Sequence, residues 1–192
     1  MITGRVLNRD EICKVWTIDR SEVIDAVYYL EGGALVLKPE HYDMHDWPAG
    51  EAAKYTPVLE ACYDAGGWFH GLFDGERLIG VAVLENRFIG RDKDRLQLKF
   101  LHVSSSYRNM GLGKMLFHLA EAQARRRGAA HMYISATPSE RTISFYLRLG
   151  CNVTTEPDPE LFALEPGDIH MEYDLASSAQ LHSCLKRREQ RV

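Results

Sequence analysis

The residues best suited to chemistry in this chain lie in a glycine-rich turn that joins a strand to a helix. The turn has the spacing Arg-x-x-Gly-x-Gly from Arg108 to Gly113, and it follows an alternating strand over residues 96–103. A helix is predicted over residues 111–127, with Gly128 at its end. Glycines let a ligand approach the main chain, and free N–H groups at a helix N-terminus favour an anion. The turn therefore predicts a phosphate or pyrophosphate site.

Two common phosphate-binding motifs do not fit this turn. A dinucleotide fingerprint would require a third glycine at position 116, where the chain has Leu116. A Walker A loop would require glycine at position 108 and serine or threonine at position 115, which are Arg108 and Met115. The residue types therefore indicate an anion site and exclude these two kinds of ligand loop.

A second helix downstream is marked by its own end signals. Thr137 is predicted as the N-cap residue, Glu140 closes a capping box, and Gly150 ends the helix. The last six residues of this segment read Phe-Tyr-Leu-Arg-Leu-Gly. A strand over residues 130–135 is predicted between the two motifs.

Together the two motifs resemble the acetyl-CoA-binding turn and the Phe-Tyr-x-x-x-Gly-Phe signature of the GNAT N-acetyltransferase superfamily. The first corresponds to residues 108–113 and the second to residues 145–150, with Cys151 where the family usually has an aromatic residue. The resemblance covers residues 70–175 well and the N-terminal third poorly. It implies an acetyl-CoA-dependent N-acetyltransferase that transfers the acetyl group directly to a primary amine. The alternatives are a non-catalytic acyl-CoA-binding module and a transferase that uses another acyl donor.

The resemblance and the order of the predicted elements imply a mixed α/β GNAT fold, in which helices flank both faces of a central, mostly antiparallel sheet. A single domain is expected over residues 1–175. Within it, residues 1–67 would form the acceptor side and residues 68–175 would bind acetyl-CoA. Residues 176–192 are expected to be a C-terminal tail.

Local patterns add predictions for individual elements. Phe100 is placed on the core-facing side of its strand, and Glu121 on the solvent side of its helix. A helix is predicted to start at Pro57, and residues 41–50 and 156–160 are predicted as loops. Turn and cap residues predict two hairpins and a helix start: residues 31–33, residues 74–75, and Asn8 with Glu11.

By resemblance, acetyl-CoA binds as a cosubstrate between the strand and the glycine turn. A backbone N–H near Val103 would polarise the thioester carbonyl. Tyr146 would stabilise the departing sulfur by a hydrogen bond, because a phenol with a pKa of about 10 is a weaker acid than a thiol of about 8.5. A packing role in the core is the alternative for Tyr146. The implied cofactor-binding residues are His102, Val103, Arg108, Asn109, Met110, Gly111, Leu112, Gly113, Lys114, Ser139 and Tyr146.

The amine acceptor must lose a proton before it attacks, since its pKa is about 10. Some family members carry a glutamate as base on the central strand or the next one, where this chain has Gln97 and Ile134. Glu85 and Glu22 are the catalytic candidates that remain, beside Tyr146. Other side chains are open for this role: Asp19, His70 and His102. Each of them is explained equally well by an ion pair or a structural hydrogen bond.

Aromatic residues are frequent in the N-terminal third, where the family builds its acceptor pocket: Tyr28, Tyr29, His41, Tyr42 and Trp47. They could hold an amine by cation–π contact, or simply pack a hairpin and a loop. His41 and His45 have the spacing of helical metal ligands, but Pro48 and Gly50 oppose a helix there. No metal is predicted.

The composition is that of an ordinary globular chain, with 192 residues and a net charge of −4. Such a charge gives no reason to expect nucleic acid or an anionic membrane as partner. The expected partners are acetyl-CoA and the amine, and a homodimer is left open. The chain has no apolar leader, and its cysteines form no CxxC pair, so the expected location is cytoplasmic.

Overall fold

The structure, a computed structural model, describes residues 1–176. The predicted tail over residues 176–192 lies outside this part of the chain except for Ala176. The elements follow one another in this order: β1 (Ile2–Val6), a 3-10 helix (Arg9–Thr17), β2 (Glu22–Glu31), β3 (Ala34–Met44), α1 (Glu51–Asp64), β4 (Trp68–Asp74), β5 (Arg77–Ile89), β6 (Arg95–Val103), a 3-10 turn (Ser105–Tyr107), α2 (Leu112–Arg126), β7 (His131–Ala136), α3 (Glu140–Leu149), β8 (Asn152–Val153), α4 (Pro159–Leu164) and β9 (Ile169–Asp174).

One large sheet organises these elements, with the strand order β1-β4-β5-β6-β7-β9-β8. Its strand pairs are antiparallel apart from β6 and β7, which are parallel and are connected through α2. Helices α2 and α3 pack on one face, and the N-terminal 3-10 helix and α1 pack on the other. The prediction of a mixed α/β fold with a mostly antiparallel sheet between helices is confirmed.

Strand β6 contributes to both cores because it contains a bulge. Leu96 and Leu98 lie in the core beneath α2, whereas Phe100 packs in the opposite core with Trp47. The pairing with β5 shifts at this point and leaves Lys99 as an extra residue. The prediction that Phe100 shares the face of the preceding leucines is wrong, because the bulge shifts the alternation by one residue.

The N-terminal helices pack against each other. The predicted helix start at Asn8 is present, with the Asn8 N–H donating to Glu11 Oε2 at 3.1 Å. Helix α1 starts at Glu51, not at Pro57, which lies in its interior. Its first turns are fixed to the 3-10 helix by a hydrogen bond from Trp16 Nε1 to Thr56 Oγ1 at 2.8 Å. This tertiary contact favours a longer helix than the proline signal indicated.

The two-stranded sheet of β2 and β3 lies across the start of α3. The Tyr28 N–H donates to the Pro138 carbonyl at 2.7 Å, and Val27 pairs with Ser139. Strand β3 continues to Met44, so the loop predicted over residues 41–50 is strand in its first part. The hairpin therefore closes one side of the region between α3 and the large sheet.

Three further local predictions are corrected. Ser139, not Thr137, caps α3 and accepts the Thr142 N–H at 3.3 Å, because the preceding residue is already engaged by β2. The loop predicted over residues 156–160 ends earlier than expected, because α4 begins at Pro159 with Asp158 as its cap. Glu121 is buried in α2 rather than exposed, and its carboxylate pairs with His118 and Arg125, each at 2.9 Å. These two partners offset the cost of burying its charge.

Candidate functional site

The centre of the large sheet contains an opening between its two parallel strands. Strands β6 and β7 pair only over Arg95–Gln97 and His131–Tyr133, and beyond these residues they diverge. On one side the opening is bounded by residues 98–103, and on the other by residues 134–136, which pair with β9 instead. A strand edge left free in this way can pair with an extended ligand.

The free edge of β6 carries a backbone donor at Val103. The next residue, Ser104, donates its N–H to the Ile79 carbonyl on β5 at 2.8 Å. Since neighbouring residues of a strand direct their backbone groups to opposite edges, the Val103 N–H faces the opening. The Val103 carbonyl, on the same edge, accepts from Arg108 Nε at 3.1 Å. The opening therefore presents an N–H donor. The strand that carries this donor is held in place by β5 on its other edge.

Arg108 holds this arrangement together from within the chain. Besides Val103, its guanidinium donates to the Ser21 carbonyl at 2.9 Å and lies 3.8 Å from Glu22 Oε2. Both charged side chains are largely buried, at 17% and 19% exposure. Arg108 thus joins β6 to the start of β2 rather than pointing out of the turn, and Glu22, a predicted base, is its counter-ion.

The glycine turn forms the helix start that the sequence predicts. Gly111 has φ of 79°, and a side chain added there would meet no atom of the described residues within 4 Å. The first helical hydrogen bond of α2 runs from the Met115 N–H to the Gly111 carbonyl at 3.0 Å. Among the described residues, the N–H groups of Leu112, Gly113 and Lys114 have no acceptor. Free donors and open space at a helix N-terminus make an anion site.

The side chains around this turn differ in their contacts. Met110 and Lys114 are exposed, and Gly113 lies close to the ring of Phe145 on α3. Asn109, with φ of 63°, accepts a hydrogen bond from Arg141 at 3.3 Å. Arg141 was not singled out in the sequence, since nothing local marks a helix residue as a neighbour of a distant turn. It adds positive charge beside the free N–H groups.

Tyr146 lies on α3 with its ring between Phe117 and Phe145, at centroid distances of 6.2 and 5.1 Å. Only 6% of the residue is exposed, and within the described chain its hydroxyl has no hydrogen-bond partner. Burial, and then the neighbouring Cys151, raise the pKa of Tyr146. The hydroxyl therefore keeps its proton and can donate a hydrogen bond. Ser139 is buried and uses its hydroxyl as the cap of α3.

The remaining candidate bases are engaged elsewhere. Glu85 pairs with Lys99 at 2.8 Å on the α1 face of the sheet. Burial raises its pKa, but the hydrogen bond and charge of Lys99 outweigh this, so the net pKa is lowered. Hydrogen bonds from Ser105 and Ser21 lower the pKa of Asp19 to about 2. Neither carboxylate is free to take up a proton near neutral pH.

The two histidines are also poor bases. His102 contacts Trp47 edge-on at 5.0 Å. Burial, Arg20 and Arg108 lower its pKa well below the usual value, so the ring is neutral at pH 7. His70 lies on β4 and stacks on Trp68 at 5.3 Å, away from the opening, and burial lowers its pKa as well.

The aromatic residues of the N-terminal third divide into two groups. Tyr29 and Tyr42 are exposed on the hairpin and both donate to Glu40. Trp47 instead packs against Trp16 at 4.8 Å and against Phe100 at 6.3 Å, beside the opening. Trp47 therefore lies where an acceptor could approach Val103, whereas Tyr28 packs against the core beneath α2 and His41 contacts Asp25 on the hairpin.

Asp168 is a further carboxyl group near the opening that sequence reasoning missed. It directly precedes β9, whose first residue pairs with Ala136 where β7 has left β6. Burial, and then Glu165, raise the pKa of Asp168 to about 6, while Arg20 opposes this rise. Arg20 acts on His102 too, so its charge lies between the two sides of the opening. A loop aspartate gives no signal in the sequence, because only the fold brings it here.

Residues 1–176 contain neither a metal-binding cluster nor a helix that could span a membrane. The structure shows no cluster of histidine, cysteine, aspartate or glutamate that could hold a metal ion there. None of the helices in this range has both the length and the apolar character needed to cross a membrane.

Comparison with known proteins assigns the family. The model of the acetyltransferase (GNAT) family matches residues 36–151, which is more than half of the chain. The protein therefore belongs to the GNAT acetyltransferase family, as the motifs indicated. No curated protein matches it in sequence.

Solved structures with the same fold include several acetyltransferases. Nourseothricin acetyltransferase has a TM-score of 0.67 at 19% identity, over 91% of this chain and 98% of its own. A protein of Bacillus anthracis strain Ames in complex with acetyl coenzyme A has a TM-score of 0.66 at 14% identity, over 91% of this chain and 98% of its own. The ribosomal-protein-S18-alanine N-acetyltransferase of Escherichia coli has a TM-score of 0.57 at 16% identity, over 91% of this chain and 94% of its own. At these identities the likeness concerns the fold.

Proposed function

We propose that the protein is an acetyl-CoA-dependent N-acetyltransferase that transfers the acetyl group directly to a primary amine. The observation that supports this most strongly is the opening between β6 and β7, with the Val103 N–H on its edge and the glycine turn at its end. Acetyl-CoA would enter with its pantetheine arm along β6 and its pyrophosphate on the N–H groups of Leu112–Lys114. Residues 1–67 would bound the acceptor side and residues 68–175 the acetyl-CoA side.

The reaction needs little besides positioning and charge stabilisation. The amine nitrogen attacks the thioester carbonyl carbon. The carbonyl oxygen gains negative charge and accepts a hydrogen bond from the Val103 N–H. The C–S bond then breaks, the C–N bond is retained, and the thiolate leaves. Tyr146 can donate a hydrogen bond to that sulfur, because its hydroxyl is protonated and has no partner in the described chain. No covalent enzyme intermediate is required.

The substrate ammonium group must lose a proton before its nitrogen can attack, and that proton needs an acceptor. Glu22 and Glu85 are counter-ions of Arg108 and Lys99, and His102 has a strongly lowered pKa. Asp168 is the carboxylate beside the opening whose pKa is raised, to about 6. It is therefore a better-matched proton acceptor near neutral pH than the two glutamates assigned from the sequence, either directly or through water.

The test is a screen of purified protein with acetyl-CoA and primary amines, including small diamines, amino acids, aminoglycosides and peptides. Release of free CoA thiol and a product heavier by one acetyl group are expected together for at least one amine. Binding of acetyl-CoA without acetylation of any amine would favour the alternative, a non-catalytic acyl-CoA-binding module. Failure to bind acetyl-CoA would refute the proposal altogether.

A further inference from the structure

Arg20 occupies a site made of an aromatic face and a carboxylate. Its guanidinium carbon lies 4.4 Å from the centroid of the Trp47 ring, a cation–π distance. Its Nη1 atom is 3.6 Å from Glu51 Oε1 at the start of α1. The side chains of Arg20 and Glu51 are only 24% and 19% exposed. We call the Trp47 face and the Glu51 carboxylate together the cation box.

Arg20 does not satisfy the carboxylate of this box. At 3.6 Å the contact is an ion pair but too long for a good hydrogen bond. The second oxygen, Glu51 Oε2, is buried and has no hydrogen-bond partner in the described chain. Buried carboxylate oxygens are normally paired, so an unpaired one marks a place where a donor fits. The box thus holds a cation loosely and leaves one acceptor open.

The cation box lies beside the reaction centre. Trp47 contacts the His102 ring at 5.0 Å, and His102 directly precedes Val103, whose N–H faces the opening. A ligand group in the box would therefore be one short linker away from an amine placed at the thioester.

We propose that the cation box is an acceptor subsite for a second positively charged group, so that the substrate is a polyamine-like molecule with at least two cationic groups. Arg20 fills the box in the free protein and competes with the ligand for it. Once Arg20 has moved away, the substrate cation would stack on Trp47 and donate to the unpaired Glu51 oxygen, while its other amine reaches the acetyl group. The catalytic part of this inference rests on the proposed function; the binding part does not.

The test measures binding of spermidine and of 1-aminohexane by calorimetry at one ionic strength, with CoA present. Native protein is expected to bind spermidine at least about tenfold more tightly than the monoamine, the effect of one charge-assisted hydrogen bond. Glu51→Gln should remove this preference. Glu60→Gln, which makes the same charge change on the exposed side of α1, should keep it. Equal affinity for the two amines in native protein would overturn the proposal.

Arg20→Ala separates competition from a structural role. If Arg20 competes with the ligand, its removal strengthens spermidine binding roughly tenfold, since the carboxylate loses its internal partner. If Arg20 only supports the fold, the variant binds spermidine no better and melts at a lower temperature, which refutes the inference. Titration with acetyl-CoA is run on each variant. Failure of native protein to bind acetyl-CoA would refute the proposed function, whereas loss of spermidine preference alone would refute only the cation box.

Discussion

Two glycines at opposite ends of α2 allow a test of the glycine turn in which backbone strain is matched. Gly111 precedes the helix with φ of 79°, and Gly128 follows it with φ of 82°. At both positions an added side chain would meet no atom of residues 1–176 within 4 Å. Substituting glutamate at either position therefore introduces the same strain and the same charge. Only Gly111 lies beside the free N–H groups of Leu112–Lys114.

Both variants should lose stability, Gly128→Glu more than Gly111→Glu, because the helix dipole favours a carboxylate at the N-terminus of α2 and opposes one at its C-terminus. A non-glycine residue in the left-handed region costs about 1–2 kcal/mol, part of which is offset by the stiffer unfolded chain. For a chain of this size 1 kcal/mol corresponds to roughly 2–4 °C in Tm. Both Gly111→Glu and Gly128→Glu are thus expected to melt a few degrees below the native protein.

Their affinities for acetyl-CoA should differ strongly. A carboxylate about 5 Å from a bound phosphate, at an effective dielectric constant of about 20, repels it by about 3 kcal/mol. This corresponds to a rise in Kd of more than about a hundredfold for Gly111→Glu. Gly128→Glu places its charge at the far end of the helix, where salt screens it from the ligand. Its Kd should stay within about threefold of the native value.

Calorimetric titration with acetyl-CoA and thermal melting of the same samples decide the matter. The expected result is a melting point below that of the native protein for both variants and loss of binding in Gly111→Glu alone. Equal affinities in both variants would show that the glycine turn does not contact the phosphates. Loss of binding in both would mean that strain in α2, and not the added charge, controls the site.

Three other substitutions test single contacts. Tyr146→Phe should slow acetylation by roughly tenfold to a hundredfold and leave the KM for acetyl-CoA unchanged, because it removes a hydrogen bond to the leaving thiolate; steady-state CoA release measures this. Arg108→Gln should lower the free energy of unfolding by about 3 kcal/mol, as it removes two donors and strands the Glu22 carboxylate; denaturant unfolding measures this. Asp168→Asn should stabilise the protein increasingly as pH rises from about 4 to 7, which melting curves would show.

The sign of the last effect follows from the raised pKa. With a folded-state pKa of about 6, Asp168 binds its proton more tightly in the native chain than in the unfolded one. The native chain therefore loses stability as pH rises through that range, and an amide, which does not ionise, avoids the loss. A constant difference between variant and native protein at all pH values would contradict this account.

The control for Arg108→Gln is the double variant that also carries Glu22→Gln. It should recover part of the stability that Arg108→Gln loses, because the Glu22 carboxylate is no longer left without its counter-ion.

The family and the main features of the glycine turn were predictable from the sequence because they depend on local signals. Gly111 adopts a left-handed backbone conformation directly before the start of α2. Both features depend on a few neighbouring residues in the sequence. The alternating strand and the hairpins were likewise predictable from periodicity and turn residues. Such features need no knowledge of what packs against them.

The errors arose where tertiary contacts decide the structure. The bulge at Lys99 moved Phe100 to the opposite core, because register is set by the partner strand. Helix α1 begins at Glu51, before Pro57, because the 3-10 helix packs against its first turns. Glu121 is buried although its partners, His118 and Arg125, lie on its own helix three residues before it and four after it. The partner strand that sets the bulge and the 3-10 helix beside α1 are not visible in the patterns of the elements they affect.

The acceptor side shows the same limit. Glu22 and Glu85 were reasonable bases by residue type, but each faces a buried cation that only the fold supplies. Asp168 and Arg20 come from distant loops, and their proximity to the opening depends on β9 and on the start of β2. Sequence reasoning found the aromatic residue Trp47 but not the carboxylate of Glu51 beside it.

The most direct test of the central claim is a crystal structure of the protein with acetyl-CoA. The account predicts the pantetheine arm between β6 and β7, the thioester oxygen within hydrogen-bond distance of the Val103 N–H, and the pyrophosphate on the N–H groups of Leu112–Lys114. Acetyl-CoA bound at another surface, with the opening between the two strands unoccupied, would contradict it.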